Sequence, residues 1–314
     1  MPRPFSQSSA HFRMALTQSG ILLIDKPEGP SSAQVVHKVK RLFQAKKVGH
    51  LGTLDPFATG LLLIGVNEGT KIADIFLGGA KSYCGVMALG VETDSQDATG
   101  KVVKERSVPP IGEAELRSLE EKFTGALQQV PPMFSALKKD GVRLYRLARQ
   151  GKEIPREPRS ITVEALQINK ISDSELEFKV ICSRGTYVRT LAADMGQALG
   201  CGAYLKSLRR TACGHLTVEE SMTIDELERR FEQGSMPLIS LRAALRHVRT
   251  VTWEGRLLSR LRLGQQEVLA QIGQRQAREK LVGVVDSRGE LAAIAAWAED
   301  LPDGCWRLFR VFHE

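Results

Sequence analysis

The sequence lacks the cysteine and histidine patterns that disulfide frameworks and zinc sites require. Its 314 residues include five scattered cysteines, an odd number, and no C-x-x-C motif. The six histidines show neither H-x₃-H nor H-E-x-x-H spacing. We therefore expect reduced thiols, a cytoplasmic location and no metal site.

Long apolar runs and nucleotide-binding motifs are also missing. No apolar stretch is long enough to span a membrane, so we expect no membrane partner. Residues 65–71 are glycine-rich and end in lysine, but they lack the P-loop spacing, and no G-x-G-x-x-G motif follows a strand. Residues 1–18 are polar and have no apolar core, which predicts a disordered leader rather than a secretion signal.

The sequence has an excess of basic over acidic residues. A net charge of +8 and a pI of about 9.3 predict a polyanionic partner. Hydrophobic and charged contents of 42% and 25% are typical of a globular protein. The length allows one large domain, which we place at residues 19–246, and a small one at residues 247–314.

Periodicity within residues 19–246 predicts a mixed α/β domain. The predicted strands cover residues 21–24, 61–66, 81–91 and 205–211, together with a hairpin over residues 161–183. The predicted helices follow Ser31, cover residues 71–76, 113–123 and 142–150, and include one that runs from the RGTYVR segment to Leu199. Strands and helices therefore intermix along the whole domain.

The last part of the chain shows a different pattern, made of short strands and turns. We assign strands to the segments HVRTV, EVLAQI, LVGVV, ELAAIAAW and CWRLFRVF, with a hairpin turn at Asp286-Ser287-Arg288-Gly289. This arrangement predicts a small β-rich barrel that packs on the main domain.

One loop, VGHLGTLDPFATG at residues 48–60, presents a single carboxylate on stiff backbone. Pro56 biases Asp55 towards an extended or turn conformation, and the predicted buried strand at residues 61–66 holds the loop from behind. An acid on a loop braced by a buried strand is typical of an active site. The alternative is a structural turn, because Asp-Pro also initiates turns and caps helices.

Residues 130–159 form a basic insertion with interspersed aromatic residues. Its lysines and arginines, which include Lys138 and Lys139, outnumber its acids, and Phe134 and Tyr145 lie among them. This composition fits a flap that grips a phosphate backbone. It also fits a solvated surface hairpin.

Six segments, in this order along the chain, resemble the bacterial tRNA pseudouridine-55 synthases of the TruB type. The resemblance covers roughly residues 20–245 and more weakly the tail. The segments are ILLIDKPEGPSS, GHLGTLDPFATGLL, GTK with KSY, PPMFSALKKDG, CSRGTYVRTLAADMG and GCGAYLKSLRRT. Leu51 and Tyr204 depart from the family pattern, which puts the fine substrate fit in doubt but not the reaction.

The resemblance implies a fold and a reaction. The expected fold is α+β, with a mixed, largely antiparallel sheet flanked by helices and a small PUA-like β-barrel that binds RNA. The expected reaction isomerises uridine-55 in the T-loop of tRNA to pseudouridine without a cofactor. The enzyme is expected to act as a monomer that needs no protein partner.

The resemblance also implies roles for individual residues. Asp55 would act as nucleophile or base, Arg189 would keep it ionised, and Tyr83 would stack on the uracil and help to remove the C5 proton. His50 would fill the stack that the flipped base leaves. The remaining expected substrate-binding residues are Tyr187, Leu208, Lys26 and Lys138.

Two alternatives from other functional classes remain open at this point. One is an RNA chaperone that flips and refolds the T-arm, with chemistry secondary or absent. The other is a nucleoside hydrolase-like enzyme that releases free uracil. The mass of the RNA separates hydrolysis from isomerisation, because isomerisation leaves it unchanged.

Overall fold

The structure is a computed structural model that describes residues 17–139, 141–276, 279–299 and 304–313. All but the last two residues of the predicted leader therefore lie outside the described residues.

The described part of the chain contains seventeen strands. They are β1 (Gly20–Lys26), β2 (Val48–His50), β3 (Thr59–Val66), β4 (Lys81–Leu89), β5 (Val91–Thr93), β6 (Val102–Glu105), β7 (Gly125–Gln129), β8 (Lys138–Lys139), β9 (Val142–Arg143), β10 (Arg159–Ser172), β11 (Glu175–Cys182), β12 (Ala203–Cys213), β13 (Leu216–Thr217), β14 (Thr250–Thr252), β15 (Leu281–Val285), β16 (Leu291–Ala298) and β17 (Cys305–Val311).

Eight α-helices and three 3₁₀ segments connect these strands. The helices are α1 (Ser32–Phe43), α2 (Ala73–Gly78), α3 (Glu113–Lys122), α4 (Leu144–Arg149), α5 (Val188–Ala198), α6 (Ile224–Glu232), α7 (Leu241–Ala244) and α8 (Gly255–Arg262). The 3₁₀ segments are Asn67–Ile72, Val218–Glu220 and Gln266–Ile272.

A nine-stranded sheet organises the large part of the fold. Its order is β1-β3-β12-β4-β11-β10-β7, with β2 added to β3 and β13 added to β12. The β3–β12 pairing is parallel and the other pairings are antiparallel, which confirms the predicted mixed, largely antiparallel sheet. The apolar runs of β1 and β3 are buried on both faces, as expected for strands that are covered by other elements above and below the sheet.

Helix boundaries follow local signals in the sequence. Ser31 and Gln34 form a capping box at the start of α1, whose Val35, Val39 and Phe43 face the core. The predicted helix at residues 71–76 divides into the 3₁₀ segment Asn67–Ile72 and α2. The predicted helix at residues 142–150 begins two residues later as α4, after β9.

The last part of the chain forms the predicted small β-rich unit as a four-stranded sheet, and no closed barrel is found among the described residues. The order is β14-β15-β16-β17, with no described pairing between β14 and β17. The segment EVLAQI is not a strand but lies in the 3₁₀ segment Gln266–Ile272. Its apolar residues Val268, Leu269 and Ile272 are spaced to share one helical face rather than to alternate.

The hairpin turn predicted at Asp286 is confirmed. The amide of Asp286 donates to the carbonyl of Glu290, and the Gly289 amide donates to the Asp286 carbonyl at 2.9 Å each. The Asp286 carboxylate also accepts bonds from the Arg288 and Glu290 amides, so it closes the turn between β15 and β16.

Two hydrophobic clusters lie on opposite faces of the large sheet. One packs α1, α5 and residues of β10, β11 and β12, while the other joins β1 and β3 to the small sheet. In the second cluster, Ile21 and Leu23 of β1 are grouped with Ile294 of β16 and Phe312. The two sheets therefore share this second cluster, whereas a third cluster, which includes Leu261 and Trp306, lies within the last part of the chain. The predicted boundary between residues 246 and 247 stays a prediction.

Candidate active site

The Asp55 loop connects β2 to β3 and is held by hydrogen bonds on both sides. The Ser32 hydroxyl donates to the Leu54 carbonyl at 2.9 Å and accepts from the Leu54 amide at 2.8 Å. The Ala58 amide closes a turn onto the Asp55 carbonyl at 3.1 Å. The Asp-Pro sequence thus forms a turn, and this turn leaves the Asp55 side chain 41% exposed.

Arg189 on α5 joins the Asp55 carboxylate to a second, buried carboxylate. Its Nε lies 2.9 Å from Asp55 Oδ2, and its Nη1 lies 3.2 Å from Asp97 Oδ2. Nη1 also donates to the Ser95 carbonyl at 2.9 Å, and Nη2 donates to the Phe134 carbonyl at 2.8 Å. Because Arg189 is only 5% exposed and bonded in three directions, its guanidinium cannot turn away from Asp55.

Burial and charge act in opposite directions on Asp55. Burial raises the pKa of the carboxyl above its ordinary value, and the charge of Asp97 raises it further, while Arg189 and Lys26 lower it. The net direction is upward, so burial outweighs the cations. Arg189 therefore partly offsets the effect of burial, and its role in keeping the acid ionised stays a prediction.

Lys26 lies beneath the loop and points its ammonium group at backbone. Its Nζ donates to the carbonyls of Pro27, Pro30 and Pro56 at 2.7, 2.9 and 3.1 Å. The side chain is fully buried, and burial lowers its pKa to about 8, although Asp55 and Glu28 act to raise it. These contacts tie the start of α1 to the residue after Asp55. Substrate binding by Lys26 stays a prediction.

Tyr83 and Leu208 lie on neighbouring strands, β4 and β12. Leu208 is 7% exposed and belongs to the core cluster against which the half-buried Tyr83 packs. Burial raises the pKa of the Tyr83 phenol to about 12. The phenol is therefore neutral near pH 7 and can donate a hydrogen bond or stack.

Tyr187 precedes α5 and is fixed through its backbone. The Gln129 side chain bonds both backbone groups of Tyr187, at 2.8 Å to the amide and 3.1 Å to the carbonyl. Burial raises the pKa of its phenol, and the charges of Arg189 and Asp55 both act on it. The predicted role of Tyr187 in lining the uracil pocket stays a prediction.

His50 and Lys138 are both exposed. His50 ends β2, and partial desolvation of its ring, together with the charge of Arg210, lowers its pKa. Lys138 is exposed on the two-residue strand β8 in the basic insertion, paired with Arg143. Neither side chain is part of the Asp55–Arg189–Asp97 network.

Two residues of this region were missed by the sequence reasoning. Asp97 lies between β5 and β6, where it also accepts bonds from the Ser95 and Thr99 hydroxyls. Arg210, in the LRRT segment, donates to the carbonyls of Gly52, Thr53 and Leu61 at 3.0, 3.1 and 2.7 Å. No short-range signal predicts that Asp97 contacts Arg189 or that Arg210 contacts the Asp55 loop, because both contacts join distant parts of the chain.

Comparison with known proteins decides the family. Residues 40–188 match the TruB family pseudouridylate synthase (N terminal domain), and residues 189–250 match the tRNA pseudouridylate synthase B C-terminal domain. This chain belongs to the TruB family of pseudouridylate synthases. The second matched region of this TruB-family chain supplies β12, which lies between β3 and β4 in the large sheet. The two matched regions therefore form one sheet together.

Curated relatives of this TruB-family chain cover most of its length. It is 46% identical over 239 residues, 76% of this chain and 77% of the relative, to a tRNA pseudouridine synthase B of Geotalea uraniireducens (strain Rf4). It is 42% identical over 283 residues, 89% of this chain and 93% of the relative, to a tRNA pseudouridine synthase B of Burkholderia mallei (strain NCTC 10247).

Solved structures confirm the pseudouridine-synthase fold. A chain from the crystal structure of a Cbf5-Nop10-Gar1 complex superposes with a TM-score of 0.71 at 23% identity, covering 94% of this chain and 85% of that one.

Within the described ranges, no helix of this TruB-family chain has the length and apolarity needed to cross a membrane.

Proposed function

We propose that this protein isomerises uridine-55 in the T-loop of tRNA to pseudouridine, with the Asp55 carboxylate as the catalytic nucleophile or base. The observation that carries the proposal is the half-exposed Asp55 carboxylate fixed 2.9 Å from a buried arginine. Relatives that are 42–46% identical to this chain bear the name tRNA pseudouridine synthase B. The net charge of +8 fits a polyanionic substrate.

The chemistry requires that N1 of the uracil leaves C1′ of the ribose and that C5 takes its place. Asp55 can attack C6 of the base, attack C1′, or remove a ribose proton, and each route needs an ionised carboxylate at the sugar–base junction. Arg189 and Asp97 fix that carboxylate before substrate arrives, so little reorganisation is needed. We expect Tyr83 to stack on the uracil and to help in removal of the C5 proton, while Tyr187 and Leu208 line the base pocket.

Access to the target uridine requires that it leaves the folded T-loop, at a cost of a few kcal/mol. His50 is exposed at the end of β2, where its ring can take the place of the flipped base. The basic insertion at residues 130–159, with Lys138 exposed, closes over the phosphates of the T-arm. The small sheet at residues 247–314 acts as a PUA-like domain that extends the RNA contact.

The proposal includes a monomer that acts in the cytoplasm and needs no cofactor and no protein partner. Elution of the purified protein in size-exclusion chromatography tests the monomer directly. Activity of the same preparation on transcript alone, in buffer with chelator, tests whether a cofactor or a protein partner is needed.

The decisive experiment is incubation of the purified protein with unmodified tRNA transcript, followed by mapping of pseudouridine. We expect one pseudouridine, in the T-loop, and no change in RNA mass. Release of free uracil would identify a hydrolase instead. Restored tRNA folding with no pseudouridine would identify a chaperone, and either result would overturn the proposal.

A further inference from the structure

A cavity of about 550 Å³ lies between the basic insertion and α5, and the mechanism above leaves it unused. Lys152 and Arg156 line it from the insertion, and Thr190 and Asp194 line it from α5. Gln96, from the segment between β5 and β6, completes the α5 side. Side chains of opposite charge from two separate elements therefore border one space.

Asp194 is a half-buried acid on α5. Among the described residues, no hydrogen bond or ion pair reaches its carboxylate. Burial alone raises the pKa of Asp194 to about 6, so the carboxyl is still mostly ionised near pH 7. A half-buried charge without a partner costs free energy, and a cation that reached Asp194 would offset that cost.

Arg156 has a hydrogen-bond donor that the insertion does not use. Its Nη2 lies 3.1 Å from Glu153 Oε1, and the Glu153 side chain is 77% exposed, whereas that of Arg156 is 20% exposed. The Nε of Arg156 is buried and has no hydrogen-bond partner in the part of the chain that the structure describes. An ion pair with an exposed acid contributes little, so Arg156 loses little when it exchanges Glu153 for a more buried carboxylate.

The two sides of the cavity differ in how firmly they are held. On α5, Leu191 and Met195 are buried in the core, and the Thr190 hydroxyl donates to Gln96 Oε1 at 2.7 Å. Residues 152–158 of the insertion, in contrast, form neither helix nor strand. A shift of this segment towards α5 therefore costs less free energy than a shift of α5.

The insertion is already joined to the expected catalytic residues near its start. The Phe134 carbonyl accepts a hydrogen bond from Arg189 Nη2 at 2.8 Å, and Arg189 lies on the same helix as Asp194. An ion pair between Arg156 and Asp194 would add a second joint between the insertion and α5. The helix that carries Arg189 would then hold the insertion near both of its ends.

We propose that Asp194 is the docking point of the basic insertion: when the insertion closes over RNA, Arg156 leaves Glu153 and pairs with Asp194 across the cavity. The inference rests on the proposed function, because it names what holds the insertion in its closed position. The exchange of ion-pair partners slows the release of tRNA without adding a contact to RNA.

The test measures how fast unmodified tRNA transcript dissociates from the native protein and from variants of these two residues. Arg156→Gln and Asp194→Asn should each speed dissociation by about tenfold, because each removes the same ion pair. The double variant should be no faster than either single variant, since one contact is lost only once. Exchange of the two charges, Arg156→Asp with Asp194→Arg, should recover part of the slow dissociation.

A matched control and a second readout separate docking from other roles. Lys152→Gln is the control, since Lys152 lines the same cavity but is exposed, and its effect on dissociation should add to that of Asp194→Asn. The second readout is the melting temperature of the RNA-free protein. Asp194→Asn should not lower it, because no described partner of the carboxylate is lost before RNA binds.

Three results would overturn the inference. If Asp194→Asn leaves dissociation unchanged, Asp194 does not hold the insertion, and a salt slope lowered by about one unit in Arg156→Gln would assign Arg156 to a phosphate. Additive effects in the double variant would show that the two residues act separately. A lower melting temperature of RNA-free Asp194→Asn would make Asp194 a structural residue.

Failure of the proposed function is a separate outcome. Pseudouridine is mapped in the same samples, so a native protein that binds tRNA without forming pseudouridine refutes the proposed reaction. The dissociation rates of the variants still decide whether Asp194 holds the insertion.

Discussion

At the scale of single residues, one guanidinium forms ion pairs with two carboxylates. Arg189 contacts Asp55 and the buried Asp97, so the three charges sum to one negative charge. Asp97 and burial both raise the pKa of Asp55, and Arg189 counteracts them. The network therefore positions Asp55 strongly while leaving its carboxyl easier to protonate than a free aspartate.

This balance predicts the effect of Asp97→Asn on the pH–rate profile. Removing the Asp97 charge removes an influence that raises the pKa of Asp55, so the acidic limb of the profile should move to lower pH. The maximal rate should fall by about tenfold, because Arg189 loses a partner that aligns it. Single-turnover rates between about pH 4 and 8 measure both effects. An acidic limb that moves to higher pH would contradict the assignment.

At the scale of elements, three side chains make the Asp55 loop rigid. The Ser32 hydroxyl, the Lys26 ammonium and the Arg210 guanidinium bind its backbone from α1, β1 and β12. These residues belong to three different elements of the fold. The loop is therefore preorganised by the packing of the whole sheet.

Replacement of Lys26 distinguishes loop support from substrate binding. Lys26→Met leaves three carbonyls around the loop without their donor, so we expect the rate of isomerisation to fall by about 10²-fold while tRNA affinity and its salt dependence stay unchanged. A lysine that binds phosphate would instead lower the log–log salt slope by about one unit. Filter binding at several salt concentrations separates the two roles.

The basic insertion is predicted to act on affinity rather than on rate. Lys138 and Lys139 are exposed, so replacing both with alanine should weaken tRNA binding and reduce the salt slope by up to about two units. Arg117 and Lys122 on the exposed face of α3 provide a control pair of equal charge. An equal change in both double variants would show that the insertion has no special contact with RNA.

The elements also show which features of the fold can be predicted from the sequence. The strands β1, β3, β10 and β11 and the Asp55 loop follow from local patterns, since their apolar spacing and turn residues are continuous in sequence. The pairing of Arg189 with Asp97 and the contacts of Arg210 join residues that are 92 and 149–158 positions apart. Such contacts depend on the sheet order, which no local pattern contains.

The tail illustrates a different reason for error. EVLAQI has the composition of a strand, but its apolar residues fall on one helical face, and the segment lies against β17 through a bond from the Leu308 amide to Gln266. Short apolar runs are ambiguous between helix and strand. Tertiary packing therefore decides the structure of such a segment.

At the scale of the whole molecule, the shared core predicts that both sheets unfold together. Phe312 is 4% exposed and packs in the cluster that contains Ile21 and Leu23. Phe312→Ala should lower the free energy of unfolding by about 3–5 kcal/mol and keep a single transition. Leu263→Ala, at a position that is 78% exposed, should change it by less than about 0.5 kcal/mol. Two separate transitions in the native protein would contradict the shared core.

The most direct test of the account is the comparison of native protein with Asp55→Asn on unmodified tRNA transcript. The amide keeps the size of the side chain but cannot act as nucleophile or base, so tRNA should bind with unchanged affinity and form no pseudouridine. Pseudouridine formation by the folded variant at a rate near that of the native protein would contradict the central claim.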